Sequence, residues 1–181
     1  VNIKILLGNF SSDTARVLAP IVEKYAADDI RITVNQGLLL KYVPKEALPA
    51  LFQELDKLNF AEPGFDSVAD ITACPGTDTC NLGISSSTGI AKELERVVIE
   101  EYPDLLFNND IKIKISGCMN SCGHHHAGHI GILGVDKDGD EWYQVSIGGA
   151  DGSDAGRGRS SIGKVIGPSF KAEAMPDVVA R

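Results

Sequence analysis

With 181 residues, 43% of them hydrophobic and 23% charged, the chain has mass for one domain or two small ones around real cores, which excludes wholesale disorder. A net charge of −8, from 17 basic against 25 acidic residues, excludes a broad nucleic-acid face, and no Lys/Arg run marks a membrane surface. No apolar run reaches the ~18 residues a membrane helix needs, and the opening Val-Asn-Ile-Lys-Ile-Leu-Leu-Gly is too short for a secretory core, so a cytoplasmic protein with neither nucleic acid nor membrane as partner is expected. The chain starts at Val1 rather than Met and stops at Arg181, just after a Met-Pro-Asp-Val-Val-Ala stretch that reads as an opening helix, so a fragment of a longer polypeptide is expected.

Ile3 to Leu7 reads as a buried strand ended by Gly8. A helix follows from a Ser11 or Ser12 cap to about Ala27, with Ala15, Leu18, Ile21, Val22 and Tyr25 on one face and Pro20 as a possible kink. Ile30, Ile32 and Val34 alternate with Arg31 and Thr33 as in a half-buried strand, Asn35-Gln36-Gly37 turns, and Leu38 to Val43 resumes an extended run. From Pro44 a second helix carries Ala47, Leu48, Leu51, Phe52, Leu55 and Leu58. Residues 1–62 thus form half of an α+β sandwich, and Glu62-Pro63-Gly64 is the expected linker to a second domain over 63–181. There, Ser85 to Thr88 offer caps for a helix through Ile90, Ala91, Leu94, Val97 and Val98 to about Glu101, stopped by Pro103. Ile111, Ile113 and Ile115 alternate with Lys112 and Lys114 in a strand, and Ile130–Val135 with Trp142–Ile147 form a hairpin over Asp138-Gly139. Gly148 to Gly167, rich in Gly, Ser and Asp, reads as a long surface loop, and Met119 and Trp142 as ordinary packing residues.

All four cysteines fall into two close pairs, Cys74-Pro-Gly-Thr-Asp-Thr-Cys80 and Cys118-Met-Asn-Ser-Cys122, a C-x5-C and a C-x3-C separated by 37 residues. Two short loops of two soft ligands each make a thiolate cage when the fold brings them together. The wide first pair leans away from zinc, whose pairs usually space at C-x2-C to C-x4-C, and towards a larger iron–sulfur cluster, although ligand softness alone does not separate the two. Disulfides are the weaker reading for a chain of this size with no export signal. Pro75, Gly76, Gly117 and Gly123 let the backbone wrap a bulky anionic group.

Thr72-Ala-Cys-Pro-Gly-Thr-Asp-Thr-Cys80 and Ile115-Ser-Gly-Cys-Met-Asn-Ser-Cys-Gly123, with Ile130-Gly-Ile-Leu-Gly134 after them, resemble the cluster loops of sirohaem-dependent sulfite and nitrite reductases. Arg31-Ile-Thr-Val-Asn-Gln-Gly-Leu-Leu-Leu40 is similar to that family's ferredoxin-like half-domain, and Trp142 to Gly149 with Ile166-Gly-Pro168 resembles bacterial sulfite reductase haemoproteins. The resemblance implies an α+β fold, a ferredoxin-like half-domain followed by a mixed α/β sirohaem and 4Fe-4S domain, forming the C-terminal half of an assimilatory sulfite reductase. It implies that Cys74, Cys80, Cys118 and Cys122 hold a 4Fe-4S cluster, that Cys122 also bridges to the sirohaem iron, and that Asn120 faces the cofactor. The implied partners are the N-terminal half of the same reductase, which carries most of the residues gripping the substrate, an electron donor that is ferredoxin or a flavoprotein, and a small anionic substrate. Sulfite is expected, with nitrite as the alternative and a non-catalytic iron–sulfur or zinc module as the reading from another class. Because sirohaem is rich in carboxylates and this chain is acidic, the chain alone is expected to hold little sirohaem and to be inactive.

His124, His125, His126 and His129 invite a second metal site, but three consecutive side chains cannot all point one way, so a polar turn is the better reading. Arg157, Arg159 and Lys164 have the chemistry to meet sirohaem carboxylates but read first as solvated loop charges. Asn35 and Gln36, where relatives place polar groups near the haem, likewise read first as a turn.

Overall fold

The computed structural model describes residues 1–152 and 158–181, which divide into two compact units, Val1–Asp66 and Ser67–Arg181.

In the first unit Ser11 Oγ accepts the Thr14 N–H at 3.0 Å and starts helix α1 (Ser12–Tyr25), with Asp13 in the first turn complementing the helix dipole. Leu18 and Val22 are its buried stripe, and Pro20 lies on the exposed face, where the helix runs through it without breaking. The expected strand at Ile3–Leu7 is only β1 (Asn2–Ile3). Leu7 adopts φ 54° and Gly8 N–H bonds Ile5 C=O, so the chain curls into a tight turn once Ile3 and Ile5 are buried. β2 (Ile30–Ile32) and β3 (Leu38–Leu40) join through a turn that Thr33 and Gly37 close at 2.9 Å, giving an antiparallel sheet in the order β1-β3-β2. Helix α2 (Leu48–Asp56) follows a 3-10 turn at Lys45–Ala47 and buries Leu51 and Leu55, while Leu48 and Phe52 from the expected apolar face remain exposed. These side chains close one core with Ile3, Ile5, Leu18, Val22, Ala26, Leu38 and Leu40. The half-buried reading of Ile30, Ile32 and Val34 is overturned. β2 is an edge strand whose alternating apolar side faces outward, with Ile32 87% and Val34 90% exposed.

The second unit is built on a five-stranded mixed sheet in the spatial order Lys164–Lys171, Asp140–Ile147, Ile130–Lys137, Ile113–Ser116, Thr72–Ala73. β4 (Thr72–Ala73) pairs in parallel with β5 (Ile113–Ser116), and β5 in parallel with β6 (Ile130–Lys137). β7 (Asp140–Ile147) returns from β6 through the expected two-residue turn, with Asp138 and Gly139 at positive φ as a primed hairpin turn demands. Helix α3 (Ser87–Glu101) begins at its Ser86 cap and buries Ile90, Ala91, Leu94, Val97 and Val98; Pro103 then holds the chain in a 3-10 turn. The reading of the tail as a loop is corrected. β8 (Ala150–Asp151) pairs with β9 (Ser160–Ser161), and β10 (Lys164–Lys171) lies along β7, a pairing that composition does not signal because it depends on a distant partner strand. Lys114 is buried and forms an ion pair with Asp151 at 3.5 Å. Trp142 is half-buried between the ammonium groups of Lys137 and Lys171. A short helix α4 (Met175–Ala180) seals Met175 beside α3. Among the described residues no helix is long and apolar enough to cross a membrane.

The α+β class, a ferredoxin-like half-domain before a mixed α/β domain, is borne out by these two units and by the comparisons given below.

Candidate metal centre

Both cysteine loops leave the sheet from the same ends of neighbouring parallel strands. Thr72 faces Lys114 and Ala73 faces Ile115, so Cys74 and the Gly117–Cys118 corner start side by side. Cys74 N–H continues the ladder to Ile115 C=O at 3.2 Å, and Gly117 N–H donates to Cys74 Sγ at 3.1 Å. Hydrogen bonds then close the first loop on itself and tie the residues after it to the second. Cys80 N–H reaches Gly76 C=O, Gly83 N–H reaches Cys80 C=O, and Ile84 and Ser85 N–H both reach Gly117 C=O, at 3.0 to 3.2 Å. In the second loop Ser121 N–H bonds Cys118 C=O at 3.2 Å with Ser121 at φ 59°, and Gly123 N–H bonds Ser116 Oγ at 3.1 Å. The approach is close enough to require glycine. A Cβ on Gly117 would meet Gly76 Cα at 2.8 Å, and one on Gly123 would meet Ile115 O at 1.8 Å.

The four cysteines are free thiols in graded environments: Cys118 is buried, Cys74 and Cys80 are half-buried, and Cys122 is exposed. Asn120 is exposed beside Cys122. Met119 is 83% exposed, which corrects its reading as a packing residue; Leu82 at 66% and Ile84 at 43% are exposed after the first cysteine pair. Among the described residues no three His, Cys, Asp or Glu side chains gather closely enough for one metal ion. Two abutting loops of soft thiol donors, one of them with a backbone N–H aimed at sulfur, have the chemistry to hold an iron–sulfur cluster.

The expected strand into Cys118 has a twin that sequence reading passed over, β4, although Val68-Ala-Asp-Ile-Thr-Ala73 carried a comparable apolar signal. Reading also passed over Ser87, which is fully buried between the loops, and Tyr143, whose hydroxyl donates to Ser86 C=O at 3.2 Å and braces the start of α3. Burial, with the Glu141 charge second, raises the Tyr143 pKa and keeps the phenol a donor.

The histidines form a turn at His125–Ala127. His125 is 3% exposed, stacks on His126 at 3.9 Å and leaves Nδ1 without a hydrogen-bond partner beside a cavity of about 40 Å³ shared with Gln144 and Ser146. Burial first, and His126 second, push its pKa down to about 4, so the ring is neutral near neutrality. His129 Nδ1 accepts Lys112 N–H at 3.0 Å. Arg159 and Lys164 are exposed at the start of the tail, Arg157 lies outside the described residues, and Asn35 and Gln36 sit in the first unit's turn, with Gln36 at φ 64°.

Two abutting cysteine loops on paired parallel strands, later in the chain than the small α+β unit, define a protein with a thiolate-rich site, and comparison with known proteins names the family. Residues 1–58 match the nitrite/sulfite reductase ferredoxin-like half domain and residues 64–180 the nitrite and sulphite reductase 4Fe-4S domain, so the chain belongs to the nitrite and sulfite reductase family. Sirohaem and a 4Fe-4S cluster are the cofactors of that family. The chain is 27% identical to a ferredoxin–nitrite reductase of Synechococcus elongatus over 99% of its own length and 34% of the relative's. It is 28% identical to an assimilatory-type sulfite reductase of Nitratidesulfovibrio vulgaris over 96% of itself and 73% of that protein. Its backbone is similar to the Mycobacterium tuberculosis NirA protein, with TM-score 0.82 and 26% identity over 100% of this chain and 34% of the other. The chain therefore spans about a third of the longer relatives and about three quarters of the shorter one.

Proposed function

We propose that this chain is the C-terminal half of an assimilatory sulfite reductase, residues 1–62 being the half-domain and 63–181 the cofactor domain, acting in the cytoplasm. Cys74, Cys80, Cys118 and Cys122 would hold the 4Fe-4S cluster, and Cys122, the exposed thiol, would also hold the sirohaem, with exposed Asn120 beside it on the side of that cofactor. The observation that carries this reading is the parallel pairing of β4 with β5, which delivers both cysteine loops to one place and aims the Gly117 N–H at Cys74 Sγ. The exposed apolar side chains Leu82, Ile84 and Met119, all within or next to the two cysteine loops, support an apolar-faced cofactor as their cover. When bound, the two cofactors supply electrons one at a time to a small anion on the haem, sulfite being carried to sulfide by six electrons. The chain's own part is to hold the thiolates, to donate backbone N–H groups to sulfur and to exclude water from the buried Cys118 side.

Nitrite is the alternative substrate, supported by the nitrite-reductase names of several relatives. The N-terminal half completes the substrate site, ferredoxin or a flavoprotein donates the electrons, and the acidic isolated chain binds little sirohaem and is inactive. Iron, zinc and acid-labile sulfide analysis of anaerobically purified protein tests the core of this reading. Iron with equimolar sulfide and no zinc is expected, and zinc without sulfide would overturn it. Sulfite and nitrite kinetics on the full-length reductase decide the substrate.

A further inference from the structure

Ser87 sits where the two cysteine loops and helix α3 meet. It is fully buried in the first turn of the helix, its hydroxyl donates to Cys74 C=O at 2.6 Å, and the same oxygen lies 3.4 Å from Cys74 Sγ. Both loops are cut to make room for it. A Cβ on Gly76 would stand 2.4 Å from Ser87 Oγ and one on Gly117 would stand 3.1 Å away. A hydroxyl so placed, with one proton and two acceptors in reach, is an unusual use of a serine that looks in sequence like one more helix-capping residue.

The choice between those acceptors depends on the state of the thiol. While Cys74 carries its proton, sulfur is a weak acceptor and can itself donate to Ser87, so the serine proton belongs on the carbonyl. On cluster binding the thiol releases its proton to solvent and sulfur becomes an anionic acceptor. A hydrogen bond to an ionised partner is roughly twice as strong as one between neutral groups. We propose that Ser87 is a positioning residue of the cluster, its hydroxyl turning from the Cys74 carbonyl to the Cys74 thiolate when iron is bound and, with the Gly117 N–H at 3.1 Å, making this the most strongly hydrogen-bonded of the four sulfurs. The inference rests on the cluster reading above. Its consequence is electronic. Two donors on one thiolate withdraw charge from the iron it binds, favour the reduced cluster and raise its potential.

The test uses the whole 181-residue chain, reconstituted anaerobically with iron and sulfide, as wild type, Ser87→Ala and Ser146→Ala. Ser146 is the matched control: a buried serine of β7, outside both cysteine loops, whose hydroxyl donates to Gly131 C=O at 3.4 Å. An EPR-monitored redox titration is expected to show a more negative cluster potential for Ser87→Ala and an unmoved one for Ser146→Ala. Electron–nuclear double resonance after transfer to D2O is expected to lose one exchangeable-proton coupling in Ser87→Ala alone. Loss of the cluster from Ser87→Ala only, with far-UV circular dichroism retained, also supports the positioning role. Equal potentials and equal proton couplings in all three proteins, or equal shifts in both variants, overturn it while leaving the cluster reading intact. A wild type that takes up no acid-labile sulfide overturns both.

Discussion

The two units spend their interiors differently. The first closes an entirely apolar core, Ile3, Ile5, Leu18, Val22, Ala26, Leu38, Leu40, Leu51 and Leu55, and its irregularities lie at the surface. Among the described residues every buried polar or charged side chain belongs to the second unit: Ser67, Asp70, Thr72, Ser85, Ser87, Lys114, Ser116, His125 and Ser146. Thr72, Lys114 and Ser116 lie in the strands that lead into the cysteine loops and Ser85 and Ser87 between the loops; of these, Ser85, Ser87 and Ser116 donate to or accept from the backbone that carries the thiols. Apolar burial makes the first unit a scaffold, whereas the second gives up part of that stabilisation to hold two loops in one geometry.

The largest effect expected from this contrast is in the first unit. Leu51 is 1% exposed at the centre of the apolar cluster, and Leu51→Ala should cost ~2–5 kcal/mol in urea unfolding, because nothing polar there can take over. A cost below about 1 kcal/mol would mean that packing is not what holds that unit. Next is Gly117→Ala, where a Cβ 2.8 Å from Gly76 Cα forces the two cysteine loops apart. It should destabilise by about 1–3 kcal/mol, and, more tellingly, lower the bound sulfide per chain, an effect Leu51→Ala should not produce while the protein stays folded.

His125 sharpens the comparison through pH. Its ordinary value is 6.5 and burial lowers it to about 4 in the folded chain, so between these values the unfolded chain binds a proton that the folded chain refuses. Stability is therefore full above about pH 6.5 and falls as pH drops towards 4, by on the order of 2 kcal/mol. Urea midpoints across that range should fall for the wild type, and His125→Phe, which removes the orphaned Nδ1 along with the titration, should flatten this part of the profile. An unchanged slope in the variant would assign the acid sensitivity to the carboxylates instead.

Much of this was legible from residue order, and what was not had specific causes. α1, α2, α3 and the β6–β7 hairpin follow from helical spacing, serine caps and an Asp-Gly turn, all of which act within a few residues. Alternation at Ile30–Val34 signalled a strand but not its cover: all three residues of β2 are exposed, since burial depends on what packs against the edge of the sheet. For the same reason the burial of Lys114 against Asp151, distant in sequence, has no local signal, and the glycine-rich tail concealed β10, whose partner β7 supplies the hydrogen bonds. The cysteine pairs announced themselves by spacing, whereas Ser87 lay hidden in a run of serines whose commonest use is capping.

That run makes possible a last and smallest comparison, between two caps of identical chemistry. Ser11 Oγ accepts the Thr14 N–H at 3.0 Å in the first unit and Ser86 Oγ accepts the Gly89 N–H at 3.2 Å in the second. Each Ser→Ala change should cost ~1 kcal/mol, because each removes the acceptor for one helix-end donor. Their functional consequences should differ. α1 ends on solvent-facing turns, so Ser11→Ala should leave the sulfide content and the visible absorption of reconstituted protein as in the wild type. Ser86 anchors the turn that carries Ser87 against Cys74, and its own carbonyl is the acceptor for Tyr143, so fraying there loosens the backbone behind a thiol. Ser86→Ala should therefore release sulfide faster on mild chelation than Ser11→Ala does at matched stability. Equal release from the two would show that the polar interior of the second unit serves folding alone, and that the serines at the start of α3 do for the thiols no more than Ser11 does for its own helix.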